Sequence, residues 1–189
     1  GRYPLASPCC RGGGMTDGLH TANLVLRRPA PQDWTAFRDF MMSDRAAMFG
    51  SHRNLGKAFR SFAAELGHWQ IFGYGMWAVT RRGDDVIRAL IGPWSPPEWP
   101  EPEIGWIVLD PEAEGTGLAT EAARAALSHA FGVLGWPTVV SYIGTDNARS
   151  AALAEKLGAV IDPDAAQPVP DTPLLVYRWA DTDRALDEQ

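Results

Sequence analysis

Residues 114–120, Glu-Gly-Thr-Gly-Leu-Ala-Thr, put two glycines one residue apart directly before a helical pattern. Glycine lets the backbone approach a ligand closely, and the first amides of a helix together carry about half a positive charge. The chemistry that suits this stretch is anion binding, and a pyrophosphate would fit it; a bare structural turn would use the same residues. It is not a dinucleotide fingerprint, since the third glycine and a downstream acid are missing, and no Gly-Lys-Ser/Thr follows. Asn147 and Ser150 lie three apart at a second helix start, hence on one face; Asp146 or Asn147 would equally serve there as a cap. Glu101 and Glu103 stand just ahead of an apolar run, as bases or as solvated acids of a charged loop.

The elements that must position these groups are legible from periodicity. Residues 104–109 read as a strand, which Asp110-Pro111 breaks, because proline has no N–H for a ladder. Apolar positions 119, 122, 123, 126, 130, 133 and 134 then follow the helical period. Gly135-Trp136-Pro137 ends that helix, 138–143 is a strand, and 147–157 a short helix with Leu153 and Leu157 inward and Gly158 past its end. Upstream, 23–29 is a strand and Pro31-Gln32-Asp33-Trp34 opens a helix carrying Phe37, Phe40 and Met41. A second helix spans 54–69 with Phe59, Phe62, Ala63 and Leu66 on one face. Gly73-Tyr74-Gly75 turns into strand 76–80, and a hairpin at 81–85 returns strand 86–92. Residues 93–100 hold four prolines and read as a rigid loop carrying Trp94 and Trp99. A proline-rich loop, 162–173, precedes a last strand at 174–179.

A chain of 189 residues, 46% hydrophobic and 21% charged, is enough for one domain with a self-sufficient core. A net charge of −6 argues against a general nucleic-acid binder, and no apolar run is long enough to span a membrane. The adjacent Cys9-Cys10 provide no disulfide framework, zinc spacing or nucleophile beside a histidine, and His20, His52, His68 and His129 have no metal-ligand spacing. No metal is expected, and the protein is expected to be cytoplasmic. Residues 1–14 are expected to be a disordered leader or an upstream extension ahead of Met15, residues 15–180 a single domain, and 181–189 a polar tail.

Taken in order, the strand, Asp-Pro, Gly-x-Gly-x-Ala, helix, strand, Asp146-Asn147-Ala148-Arg149-Ser150 and Glu155-Lys156-Leu157-Gly158-Ala159 resemble the GNAT acetyltransferase superfamily. The nearest branch is the RimJ/RimL type, which often carries a Glu-x-Gly-Trp strand and an Asn-x-x-Ser helix start. The likeness covers about residues 22–180 and is densest over 101–159. One position departs: Glu114 stands where that family's phosphate loop usually has Gln or Arg.

The resemblance implies an α/β fold, a twisted mixed sheet of six or seven strands flanked by about four helices and split near the coenzyme. It implies acetyl-CoA as co-substrate and a primary amine as acceptor, a protein N-terminus or a small molecule, with the first helix pair walling the acceptor side. An amine is mostly protonated at neutral pH, so a base must take its proton. Glu103 matches the family's strand glutamate in that role, with Glu101 as understudy and His52 as a lesser alternative. Asn147 would bind the pantetheine arm and Ser150 would protonate the departing sulfur, with Tyr142 as a second acid. The amides of Gly115, Thr116, Gly117, Leu118, Ala119 and Thr120 would hold the phosphates beside Glu114, helped by Arg149 or Lys156. Ile107, Val108 and Leu109 would bond pantetheine edge-on, with a backbone amide near Leu109 polarising the carbonyl if a bulge splays the strand. Trp94, Trp99 and Glu101 would line the acceptor pocket. With no Cys–His or Ser–His pairing in the chain, direct attack is expected. A longer acyl-CoA, or a non-catalytic CoA-binding protein kept open by Glu114, are the alternatives, and a homodimer is the expected assembly.

Overall fold

The computed structural model describes residues 18–49, 53–169 and 171–180. The leader 1–14 with its cysteine pair, His52 and the tail 181–189 lie outside the described residues.

Alternation in Leu24-Val25-Leu26-Arg27 buries both leucines and makes β2, Leu24–Arg27, beside the two-residue β1, Leu19–His20. A 3-10 turn at Pro31–Asp33 leads into α1, Trp34–Met41, which buries Phe37, Phe40 and Met41. A further 3-10 segment, Asp44–Phe49, precedes α2, Leu55–Phe72. Asn54 caps α2 by accepting the Lys57 amide at 2.9 Å, and Gly73 ends it in the left-handed region, φ 77°. The remaining elements are β3 Trp77–Arg81, β4 Ala89–Trp94, β5 Glu103–Val108, α3 Leu118–Gly132, β6 Thr138–Gly144, α4 Ala148–Lys156, β7 Val160–Ile161 and β8 Leu174–Ala180.

The strands form one sheet in the order β1-β2-β3-β4-β5-β6-β8-β7, antiparallel throughout except between β5 and β6. Eight strands therefore replace the expected six or seven. The additions include the edge strands β1 and β7, whose two residues are too few to show a period. α3 covers one face, its Ala122, Ala123, Ala126 and Ala130 lying fully buried against Ile91, Ile104 and Val139. α1 and α2 cover the other, packing Phe37, Phe40 and Phe62 on Met76, Ala78 and Leu90. Each such aromatic contributes roughly 1.5–3 kcal/mol through burial.

Two sequence expectations shift. Pro93 and Trp94 belong to β4, opposite Ile104 and Glu103, rather than to a loop. The β3–β4 ladder stops at Ile91, so Pro93 has a strand on one side only and its missing N–H breaks no second ladder. Gly92, φ 149°, lets β4 pass Trp77, since a Cβ there would lie 2.9 Å from the indole. The phase of α2 also differs. Its buried residues are Ala58, Phe62, Glu65, His68 and Trp69, while Phe59 is 62% exposed. That rotation carries an acid into the interior.

Asp33 is 2% exposed and grips the Arg27 guanidinium with both oxygens at 2.8 Å, while Oδ2 also accepts the Ala30 amide. Asp33→Ala would strand the Ala30 amide and leave Arg27 with Asp85 as its remaining carboxylate, so we expect a loss of about 2 kcal/mol and a fall in Tm of roughly 6 °C. Thermal denaturation checks this, and a loss below about 1 kcal/mol would mean that water substitutes for the carboxylate.

Candidate active site

The site begins where β5 and β6 separate. The two strands share a single register pair, Glu103 with Val140, reinforced by the Val140 amide on the Pro102 carbonyl at 3.0 Å and by Ser141 Oγ on the Ile104 carbonyl. Beyond it, Trp106 spans the gap and its indole N–H donates to Ser150 Oγ on α4 at 3.0 Å. A cleft of about 680 Å³ opens there. Ile107 and Val108 wall it from β5, Glu114, Gly115, Gly117, Ala119 and Thr120 from the glycine loop, and Asn147, Arg149, Ser150 and Lys156 from α4 and its approach. Phe40, Arg45, Met48 and Phe49 close it from α1 and the 3-10 segment after it.

Gly115 and Gly117 have φ of 72° and 87°, left-handed values that favour glycine, and Gly117 caps α3 without any side-chain bond. The first amides of α3 are thus left to a ligand. Three of the expected residues do not line the cleft by side chain. Leu118 is buried in the core under α3, and the Thr116 hydroxyl closes the loop on the Ala113 carbonyl at 2.8 Å. Leu109 is buried on the α1/α2 side, and its amide, like that of Asp110, donates to the Arg88 carbonyl at 2.9 and 3.0 Å. The bulge exists, and it takes up the Leu109 and Asp110 N–H groups, so neither is free to polarise a bound carbonyl.

Glu114, the departure in the loop, sits between two arginines. Arg45 reaches its Oε1 at 2.6 Å and Arg149 its Oε2 at 2.8 Å, which holds the carboxyl below its usual range, Arg45 contributing most. Two guanidiniums against one carboxylate leave the cluster net cationic. Arg45 also donates to the carbonyls of Val108 at 2.9 Å and Leu109 at 2.6 Å. Sequence reading missed Arg45, because its partners lie more than sixty residues away and two of them are backbone.

On α4, Asn147 is the N-cap: its Oδ1 accepts the Ser150 amide at 3.2 Å while Nδ2 faces Met48 Sδ at 3.7 Å. The capping alternative therefore applies, and the amide group still lines the cleft. Ser150 Oγ accepts from Trp106, which leaves its proton available to an acceptor in the cleft.

At the closed end of the splay lies a different environment. Glu103 Oε2 accepts the Trp99 indole N–H at 2.6 Å and Oε1 the Tyr142 amide at 3.4 Å. Part of the residue reaches solvent, but burial of the carboxyl end raises its pKa to about 7. Trp99 stands edge-on to Tyr142, ring centroids 6.2 Å apart, and the Tyr142 hydroxyl is buried beside the Glu101 backbone. Its pKa is pushed up to about 12, by burial first and then by Glu101 and Glu103. Glu65, 5% exposed, has an unpartnered Oε2 and a pKa raised to about 8 by burial and then by the Glu103 charge. The sequence signal for Glu65 was an acid spaced with Ala58, Phe62 and Trp69, hidden by the wrong helix phase.

Trp94 is stacked on His68, centroids 4.7 Å apart. His68 donates from Nδ1 to the Tyr74 carbonyl at 2.7 Å and accepts the Ser95 amide on Nε2 at 3.1 Å, which fixes a neutral imidazole whose pKa burial lowers. Glu101 is not a spare base: Arg178 holds both its oxygens, at 2.6 and 2.8 Å.

A family model described as an acetyltransferase (GNAT) domain matches residues 23–160. A solved acetyltransferase from Agrobacterium tumefaciens is 35% identical over 96% of this chain and 100% of its own, with a TM-score of 0.80. A GNAT-family acetyltransferase from Bordetella pertussis is 26% identical over 86% of this chain and 98% of its own, TM-score 0.70. The ribosomal-protein α-N-acetyltransferase RimL, solved in complex with coenzyme A, shares the fold at 14% identity, covering 85% and 95%, TM-score 0.66. Among the described residues, no helix is long and apolar enough to cross a membrane.

Removing the Glu114 charge frees both arginines for an anion. Glu114→Gln should tighten acetyl-CoA binding by roughly threefold to tenfold at low salt, with the gain shrinking as ionic strength rises. Calorimetric titration at two salt concentrations reads this, and weaker binding would show that Glu114 is needed to hold Arg45 and Arg149 in place.

Proposed function

The chain belongs to the GNAT acetyltransferase family of acyl-transferring enzymes, and from that we propose that it moves an acetyl group from acetyl-CoA to a primary amine by direct attack. One observation carries this reading: the strand that walls an open, net cationic cleft at one end holds an enclosed carboxylate with a pKa of about 7 at the other. A base poised near neutrality beside an anion cleft is what amine acylation needs.

The residues present fit acetyl-CoA. The open amides of α3, with Arg149 and Arg45 beside them, would hold its phosphates, and the β5 edge at Ile107 and Val108 would take the pantetheine arm. When bound, acetyl-CoA supplies an activated thioester carbonyl. Arg45 would have to release the Val108 and Leu109 carbonyls for the arm to bond there. Glu103 would take a proton from the incoming ammonium, and Asn147 would orient the arm from the cap of α4. Ser150, oriented by Trp106, would give its proton to the departing sulfur. Trp99, bonded to Glu103, would hold the base and border the acceptor, with Trp94 behind it on His68. The pairing of Glu114 with two arginines favours this over a protein disabled for coenzyme, since the acid offers no uncompensated charge to a phosphate.

Glu103→Gln should lower kcat/KM for amine acetylation by about 10²–10⁴ while leaving acetyl-CoA affinity unchanged. The base works ionised, so kcat/KM of the wild type should fall as pH drops through about 7, where Glu103 takes up its proton. Thiol release from acetyl-CoA across about pH 5.5–9, followed with a panel of amines, measures both. A variant with wild-type turnover and the same acid limb would remove Glu103 from the chemistry.

A further inference from the structure

Arg45 stands where part of a ligand would lie, and its guanidinium has both forked edges in use. Nη1 and Nη2 donate to the carbonyls of Leu109 and Val108 at 2.6 and 2.9 Å. Nε and Nη2 donate to Glu114 Oε1 at 3.2 and 2.6 Å. The Phe40 ring lies beneath, its centroid 5.2 Å from the guanidinium carbon. One side chain thus spans from the β5 edge to the glycine loop. The 3-10 segment that carries it also reaches the far wall, where Met48 Sδ lies 3.7 Å from Asn147 Nδ2. The side chains of Arg45 and Glu114 are each 30% exposed, so these bonds can be exchanged without opening the core. The two edges are unequal. Bonds to Glu114 carry charge on both partners, whereas those to the carbonyls are to neutral groups and are the weaker pair.

We propose that Arg45 is a gate on the β5 edge that opens in exchange for phosphate, so that the cleft favours a thioester arm carrying a pyrophosphate over one without it. Resting on the acetyltransferase reading, the gate adds to it a selection between coenzyme A and thioesters that lack its phosphates. In the free protein the Val108 and Leu109 carbonyls are covered by the end-on edge of the guanidinium. An uncharged arm that bonds there must break both contacts and leave that edge to water. When a phosphate occupies the amides at the start of α3, Arg45 turns the same edge from two neutral carbonyls to a multiply charged, bidentate acceptor. Glu114 keeps its charged pair with Arg45 in both positions and serves as the pivot. Arg149, from the α4 wall, holds the other Glu114 oxygen and adds a second cation beside the same phosphate. Phosphate binding at the loop and arm binding at β5 are therefore coupled through one side chain, each favouring the other.

The test titrates the whole chain by calorimetry with three probes: CoA, pantetheine as the uncharged arm alone, and ADP as the pyrophosphate half alone. Arg45→Met keeps an unbranched apolar stem and removes the fork. It should tighten pantetheine by about threefold to tenfold, because the β5 carbonyls are no longer covered. It should weaken ADP by at least about tenfold, and CoA, as the net of both effects, by about threefold to tenfold. Arg45→Lys should restore much of the ADP affinity, since an ammonium is still a cation. It should nevertheless leave pantetheine tighter than in the wild type, because a single nitrogen does not reproduce the fork across two carbonyls. The opposite signs for arm and phosphate are the signature, as a side chain that only supports the fold would move all three ligands the same way. Pantetheine bound no more tightly by either variant, or ADP bound equally well by Arg45→Met, would overturn the gate. Wild-type protein that binds neither CoA nor ADP would instead count against the acetyltransferase reading.

Discussion

The site depends on the parting of β5 and β6 after one shared register pair. Parallel neighbours need a crossover, and here α3 supplies it, pressed close to the sheet by four fully buried alanines. At the closed end the strands are tied by Val140 to Pro102 and Ser141 to Ile104; at the open end they leave edge groups without a ladder. An extended ligand can bond such an edge as an added strand would. The same geometry brings the start of α3 and the start of α4 to opposite walls of one cleft, with Trp106 bridging from β5 to Ser150.

Charge is handled in opposite ways at the two ends. Around the cleft and the sheet margins, acids are paired with arginine: Asp110 with Arg88, Glu101 with Arg178, Glu114 with Arg45 and Arg149. The arginines hold the Asp110 and Glu114 carboxyls below their usual range. At the apex, Glu65 and Glu103 are desolvated and, among the described residues, no arginine or lysine is bonded to either. Their pKa values rise into the range where protons move at neutral pH. The contrast separates a net cationic cleft from a desolvated pair of acids whose pKa values lie near neutrality.

Much of this was legible before any coordinates. The glycine loop, the strand before it and the Asn147/Ser150 pair announce themselves locally, because positive φ, capping and helical spacing are properties of a few adjacent residues. The short edge strands were not legible, since two residues have no period. Nor was the place of Pro93, whose tolerance in β4 depends on where the neighbouring ladder stops. The phase of α2 was misread because Phe59 and Ala63 extended the stripe of Phe62 and Leu66 to a face that stays exposed. Phe59 instead rests against the edge of Trp34 while staying largely exposed.

The sequence by itself determined the order of the main elements, the glycine loop and the family likeness, for these are written in short-range spacing that folding does not alter. Tertiary structure alone decided which charges meet. Glu114 is a repulsive acid in the sequence and the centre of an arginine pair in the fold. Glu101 and Glu103 are near-equivalent in the sequence, yet one is neutralised by Arg178 and the other is enclosed under Trp99. Arg45 carries no local mark at all, and Glu65 only its spacing with Ala58, Phe62 and Trp69. Electrostatic role depends on solvent exposure and on partners far along the chain, and both exist only once the sheet and its helices have closed on one another.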